Sequence, residues 1–492
     1  MNSAIPALLP MVPFTGAVLA TVASLVRPRA SQWVAVATMA LATVLASLGL
    51  LRALDHGELR HAMGGWAQPL GIEYVLDPLS GFMAVLIGVI GLLVVVYPTA
   101  TGFGVEPERG VVVYPLVLLL LGALFGVAVT GDLFNLFVSL EIYSIASYAL
   151  IALGGPAAAV ASYRYLLIGT MGSSLYLLGV GFVYFTTGSL GMDSVGLALE
   201  QLTDSPTTAA AVALIVIGLG TKMAIFPLHV WLPDAHSHAP PAVAALLAAV
   251  QVKVAAYALV RILLDVFPTG YVTDQLPVMT MLTWFGAAGI VVGSVMAIRQ
   301  DDVKRMLAHS TVAQLGYIVV GIGLGTRMAL IGALLHVVNH AAMKACMFFA
   351  AGGVLERAGT KKVAGYAGLG QRMPVTMTAF TVAAISMVGL PPTAGFVSKW
   401  YLVSGAVEAD RWVIGLVVVG ASVLTLLYFL RVLELVWFRP PVDAEASERV
   451  REPTPGVVVP VLVLAIAILA LGLGNVVIVE HVLEPVAAVL LT

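Results

Sequence analysis

The sequence is built mostly of uninterrupted apolar runs about as long as a bilayer's hydrocarbon core is thick, and this leaves little choice of fold. Crossing the hydrocarbon takes roughly 20 apolar residues in helical form. Fourteen segments meet that measure, at 5–26, 31–53, 77–98, 111–130, 133–154, 162–187, 209–231, 241–264, 276–298, 304–325, 328–355, 374–401, 412–436 and 456–480. The runs are continuously apolar rather than alternating, which predicts helices and not the strands of a barrel. Composition agrees, with 60% hydrophobic and 10% charged residues, where a soluble domain carries about 25% charged. So few charges cannot solvate a globular surface of this size. The expectation is an all-α, polytopic membrane protein embedded in the lipid bilayer.

Other features narrow the function. A net charge of -2 offers no footprint for nucleic acid. The single cysteine, Cys346, lies in an apolar run, so it can form neither an intrachain disulfide nor a cysteine metal site. No positive charge precedes the first run, which predicts a retained span rather than a signal peptide. The sequence shows no nucleotide loop, haem box or iron–sulfur spacing, so no cofactor is expected and any redox chemistry is assigned to another chain. With fourteen spans, the odd-numbered loops hold fourteen Lys and Arg and the even-numbered loops five. The positive-inside rule then puts odd loops in the cytoplasm and both termini outside. The longest polar stretch, at 439–455, is a cytoplasmic loop in this scheme.

Against this background a few charges stand out. Lys222, Lys253, Lys344 and Lys399 fall inside apolar runs, while Lys304, Lys361 and Lys362 read as solvated loop residues. A lysine at mid-bilayer costs about 2.5–3.5 kcal/mol on insertion scales. Snorkelling from a span end is the structural alternative, nearest to hand for Lys399. Glu141 is the one acid deep in a span, and pairing with a buried lysine would hold it charged, Lys222 being the first candidate. Asp132 and Asn135 begin the same span and serve equally well as helix caps. His336, His340 and Lys344 recur every four residues and share a helical face with Asn339 close by. An HxxxH pair can bind zinc. Here no glutamate follows the first histidine and a lysine continues the stripe, so the expectation is a proton-relay face and no metal. Hydrogen-bonded structural histidines are the plainer alternative.

Two spans carry the marks of a break. TKMAIFPLHVWLPDAHSHAPP contains Pro227 and Pro233, and ISMVGLPPTAGFVSKWYL contains Pro391 and Pro392. Proline frees carbonyls at membrane depth, which survive only in the protein interior or beside water. Each break comes with a lysine, Lys222 in one and Lys399 in the other. Matched interruptions in two halves point to inverted repeats. Spans four to eight (109–264) and nine to thirteen (276–437) are the expected units within a single membrane domain, 1–492.

These residues resemble the antiporter-like subunits shared by respiratory complex I, membrane-bound hydrogenases and Mrp-type cation/proton antiporters. The matching segments are GDLFNLFVSLEI (131–142), GTKMAIFPLHVWLPDAHSHAP (220–240), QVKVAAYALVRI (251–262), DDVKRMLAHSTVAQLGY (301–317), LHVVNHAAMKACMFF (335–349) and GLPPTAGFVSKW (389–400), together covering nearly the whole chain. The resemblance implies that Glu141 pairs with Lys222, that Lys253 lies on a central hydrophilic axis, and that Lys399 occupies the twelfth-helix position, which is lysine or glutamate depending on the subunit. His336 and His340 lie where the family often has axis histidines, with no choice made between them. Lys344 and His229 are secondary candidates. Ser310, Thr311 and Gln314 are placed either to hold bridging waters or simply to pack. The implied function is proton transfer by charge gating along Glu141, Lys222, Lys253, His336, His340 and Lys399. Partners are other membrane subunits, and the implied setting is the cell membrane of a prokaryote. GDLFNLFVSLEI and the chain length point to the D-type subunit of a Na+/H+ antiporter. The alternative is a proton-pumping subunit of complex I type or of a hydrogenase.

Overall fold

The computed structural model describes residues 4–27, 29–66, 68, 71–98, 102–104, 110–200, 205–441 and 448–491. Part of the predicted 439–455 loop lies outside the described residues, as does Arg109. The chain is a membrane-type bundle of helices, which run α1 (Ile5–Val26), α2 (Ala30–His56), α3 (Pro78–Val96), α4 (Gly110–Val129), α5 (Leu133–Ala152) and α6 (Pro156–Thr187). They continue as α7 (Pro206–Lys222), α8 (Trp231–His238), α9 (Pro241–Val266), α10 (Val278–Ile298), α11 (Val303–Leu324) and α12 (Arg327–Ala358). Then come α13 (Pro374–Val388), α14 (Ala394–Glu408), α15 (Trp412–Phe438) and α16 (Pro455–Leu473), after which short helical segments run on to Leu490. A hairpin of β1 (Leu59–Ala62) and β2 (Glu73–Leu76) joins α2 to α3. Among the described residues twelve helices are long and apolar enough to cross a membrane, and α7 and α13 are apolar but shorter. Those two are the first halves of the interrupted spans, so each of the fourteen expected segments contains an apolar helix.

The few acids mark where helices begin. Asp77, Asp132 and Asp302 each accept a backbone N–H three residues on, from Ser80 at 2.8 Å, Asn135 at 2.7 Å and Arg305 at 3.1 Å. Such caps satisfy donors that the first helical turn leaves unpaired. The polar start of α5 is therefore a cap. Elsewhere glycine sets the closest crossings. A Cβ on Gly286 of α10 would lie 2.8 Å from the Gly316 carbonyl of α11, and one on Gly218 of α7 would lie 2.7 Å from the Gly172 carbonyl of α6. Where lipid removes the hydrophobic drive between helices, such close approach supplies the packing.

Loops alternate between two faces. One face carries the hairpin, where Tyr74 bridges to Thr130, Asp132 to Gly191, and Arg60 pairs with Asp193. The opposite face joins Asp302 to Lys362, while Asp234 is shared by Arg164 and Arg305. This agrees with the odd–even loop alternation of the fourteen-span reading. Burial orders the bundle radially. In their most apolar windows α9 and α11 are 100% buried and α12 94%, against 39% for α1, α6, α15 and α16 and 33% for α2. The enclosed helices carry Lys253, Gln314, His336, His340 and Lys344. Sequence position alone gave no hint of that enclosure.

Candidate functional site

The first group of charges forms where α7 stops. Lys222 is its last residue; Ala224 then takes a left-handed φ of 58° and the chain runs irregularly to Trp231. The Thr221 carbonyl freed by the break accepts the Trp231 indole N–H at 2.9 Å. Lys222 Nζ donates to Glu141 Oε1 at 3.2 Å and to Ser144 Oγ at 2.7 Å, both on α5. Ser173 of α6 donates a further short bond to the same carboxylate oxygen. The expected pair is formed, with one difference. The Lys222 side chain is fully buried, whereas that of Glu141 is 25% exposed on the flank of the bundle. Pro233 also departs from expectation: it sits in the first turn of α8, where a missing N–H costs nothing, so it starts a helix and does not break one. The peptide bonds Phe226–Pro227 and Pro391–Pro392 are cis.

Lys253 sits at the centre. Its Nζ donates to the carbonyl of Ala248, within a π-helical segment Leu247–Gln251 that the sequence did not announce. Such segments leave irregular backbone inside a helix, often at functional sites. Gln251 links this segment to α5 and α6, accepting from Ser147 at 2.7 Å and donating to Tyr165 at 2.6 Å. The Tyr165 ring stacks on Trp231 at 3.8 Å, so the broken seventh span leans directly on this network. Lys253 interacts electrostatically with His236, His336, His340 and Lys344. His236, within the segment 220–240, belongs to the same group. It is fully buried, and neither of its ring nitrogens has a partner among the described residues.

The histidine stripe of α12 resolves into different environments. His336 bonds Ser398 through Nδ1 and Gln314 through Nε2, both at 2.9 Å. The His340 ring lies 5.7 Å away, nearly parallel, with neither nitrogen bonded among the described residues. Lys344 turns instead to α11, donating to the Leu307 carbonyl at 2.7 Å and to Ser310 Oγ. Thr311 donates to that same carbonyl, at 2.9 Å. Gln314 holds a histidine directly rather than through water.

At the second break α13 ends on Gly389, whose φ of 92° suits glycine alone. Lys399 reaches back from α14 to the last carbonyls of α13, Met387 at 2.9 Å and Val388 at 3.0 Å, and to Ser422 Oγ at 3.0 Å. An ammonium at a helix C-terminus meets both unpaired carbonyls and the negative end of the dipole. A Cβ at Gly389 would press on Lys399 Cδ at 3.0 Å. The ammonium also lies 4.9 Å from the centre of the Tyr317 ring. Lys399 is thus buried and does not snorkel.

Lys304 is no solvated loop residue: it lies in the first turn of α11, 5% exposed, and donates to the Ala239 carbonyl just beyond α8. A capping acid at Asp302 signalled a helix start there. His229 lies in the irregular stretch between α7 and α8, its ring 5.4 Å from Phe226. What results is a succession of ionisable side chains threading the enclosed helices between two interrupted spans. Of these, Lys222, Lys253, His340, His336 and Lys399 are buried, and Glu141 is the member that reaches the flank of the bundle.

Fold and site together define a polytopic helical membrane protein with an internal ionisable axis. The chain belongs to the family described as NADH:quinone oxidoreductase/Mrp antiporter, transmembrane, which matches residues 130–425. It is 47% identical over 454 residues to the N-type subunit of the NADH-quinone oxidoreductase of Desulforudis audaxviator, covering 90% of each chain. It is 32% identical over 374 residues to the D-type subunit of the Na(+)/H(+) antiporter of Alkalihalophilus pseudofirmus, covering 75% of this chain and 74% of the relative. A chain in the structure of the membrane-bound sulfane sulfur reductase, an archaeal respiratory membrane complex, superposes with a TM-score of 0.90 at 30% identity, covering 99% of this chain and 98% of that one. The expectation of a D-type antiporter subunit is therefore not preferred. Identity to the quinone oxidoreductase subunit is higher and extends over more of both chains.

Proposed function

We propose that the chain is the proton-translocating subunit of a multi-subunit, redox-driven membrane complex of the NADH:quinone oxidoreductase type. The observation that carries this is the succession of ionisable side chains from Glu141 to Lys399, buried from Lys222 onward, in a chain nearly half identical to a subunit of such an enzyme. A proton arriving near Lys222 weakens its attraction to Glu141, and the changed charge biases Lys253. Lys253 exchanges with His340, and the proton passes by His336 and Ser398 to Lys399. Desolvation suits lysine to this work, because loss of hydration penalises the charged form and lets a small change of neighbouring charge move the proton. Spans four to eight and nine to thirteen serve as inverted units, each with one interrupted span. Both termini lie outside the cytoplasm of a prokaryotic cell membrane, and the partners are other membrane subunits. Lys344 steadies α11 against α12.

The second reading, proton exchange for sodium or another monovalent cation, is favoured by the antiporter relative. Reconstitution of the native complex in proteoliposomes separates the two. Acidification of the lumen on adding reductant and quinone supports the first reading. Proton movement driven only by a sodium gradient supports the second. Wild-type rates in complexes carrying Lys222→Ala or Lys253→Met overturn both.

A further inference from the structure

Beyond Lys253, α9 carries a second polar series at four-residue spacing, Tyr257, Arg261 and Asp265, running toward the hairpin face. Exposure rises along it, from 0% at Lys253 and 4% at Tyr257 to 12% for the Arg261 side chain and 40% for that of Asp265. A crevice of about 260 Å³ reaches in from that face and is lined by Glu58, Asp77, Arg261 and Asp265, with Pro485 and Val489 opposite. Eight residues of helix, about 12 Å, separate Arg261 from Lys253. Read as a stripe alone, this would be a way out for protons.

The geometry points the other way. Arg261 Nη2 lies 2.5 Å from Asp77 Oδ2, and Nη1 lies 2.9 Å from Asp265 Oδ2. A guanidinium keeps its proton at any working pH, so it cannot relay one. Tyr257 is fixed at both ends: its hydroxyl donates to the Ala128 carbonyl at 2.6 Å and accepts from Arg261 Nε at 3.4 Å and Nη2 at 3.3 Å. A hydroxyl held this way cannot turn to pass a proton on. Burial alone would raise the Asp77 carboxyl, but the charge of Arg261 beside it holds it below the ordinary carboxylate range, so this carboxylate takes up no proton either. We propose that Arg261, held by Asp77 and Asp265 against Tyr257, is an electrostatic seal that closes the hairpin face to protons carried on Lys253. The inference rests on the proposed proton role of Lys253.

The test is passive leak: decay of an imposed pH gradient across proteoliposomes containing the native complex, without its driving substrate. Arg261→Gln is expected to speed the decay at least five-fold, and adding Lys253→Met to that variant to restore the slow decay. Asp77→Asn breaks the same ion pair yet keeps the α3 cap and the guanidinium, so its decay should stay within two-fold of wild type. Equal leak in both single variants would show that packing, and not the charge, closes this face, overturning the seal. Leak that persists in the Lys253→Met double variant would overturn the path through Lys253. No leak in Arg261→Gln, with driven transport abolished by Lys253→Met, would sink the seal and leave the proton role standing. Tyr257→Phe supplies a variant independent of the ion pair. Driven transport at the wild-type rate fits the seal, and a five-fold fall would mean that the hydroxyl relays protons and would overturn it.

Discussion

Replacing Glu141 by Gln removes one charge from the first pair while keeping its size and its acceptor for Ser173. Lys222 Nζ and Glu141 Oε1 are 3.2 Å apart. At an effective dielectric of about 20 their attraction is about 5 kcal/mol. That figure is an upper bound, because the carboxylate side chain is 25% exposed and water screens it. Removing one partner of a buried pair typically costs about 3–5 kcal/mol. Lys222 retains Ser144 at 2.7 Å, which places the loss at the lower end of that range. About 3 kcal/mol corresponds to roughly a 150-fold change in the balance between the protonation states of Lys222. If that balance gates entry, the driven proton flux of reconstituted Glu141→Gln complex should fall by about 100-fold while the complex still assembles. Glu141→Asp retains the charge but withdraws it by about one bond length, and should fall in between. Gln at the wild-type flux, or Asp slower than Gln, would refute the reasoning.

The two histidines of α12 should separate cleanly. His336→Leu strands Gln314 Oε1 in the interior, while Ser398 keeps the Gly395 carbonyl; one group left unpaired costs about 1–3 kcal/mol, so the melting temperature of the purified complex should drop along with flux. His340→Leu removes no hydrogen bond to a described residue and should abolish flux with melting unchanged; the reverse pattern would reassign the relay. Lys304→Met leaves the Ala239 carbonyl without its buried donor and should lower the melting temperature, while flux per assembled complex holds. Gly389→Ala combines a left-handed backbone with a Cβ 3.0 Å from Lys399 Cδ. It should slow flux more than Gly420→Ala, whose added Cβ meets nothing within 4 Å.

The spans were legible because a helix in lipid must satisfy its own backbone, so apolar length alone marks each one. The breaks were legible for the same reason, through proline. Lys222 and Glu141 could be paired in advance because each would be costly alone. Lys304 was misread because a lysine next to two aspartates looks solvated; only the three-dimensional return of the Ala239 carbonyl shows why it is buried. The π-helical turn beneath Lys253 has no composition of its own, and neither does the enclosure of α9, α11 and α12. His236 was visible in its motif, but nothing in the spacing linked it to a lysine seventeen residues away. The exposure of Glu141 depends on which flank of α5 the bundle leaves open, and no periodicity in that helix encodes it.

The radial order of burial bears on how the protein responds to its lipid. The helices least enclosed within the chain, α1, α2, α6, α15 and α16, present most of the faces open to lipid or to neighbouring subunits, while α9 and α11 present almost none. A bilayer a few ångströms thicker or thinner is accommodated by tilting and by local adjustment at that boundary, at fractions of a kcal/mol per ångström. The outer helices can absorb such mismatch while the charged residues on α9, α11 and α12 keep their spacing. Membrane composition should therefore change how readily the complex inserts and associates far more than how the interior residues meet one another.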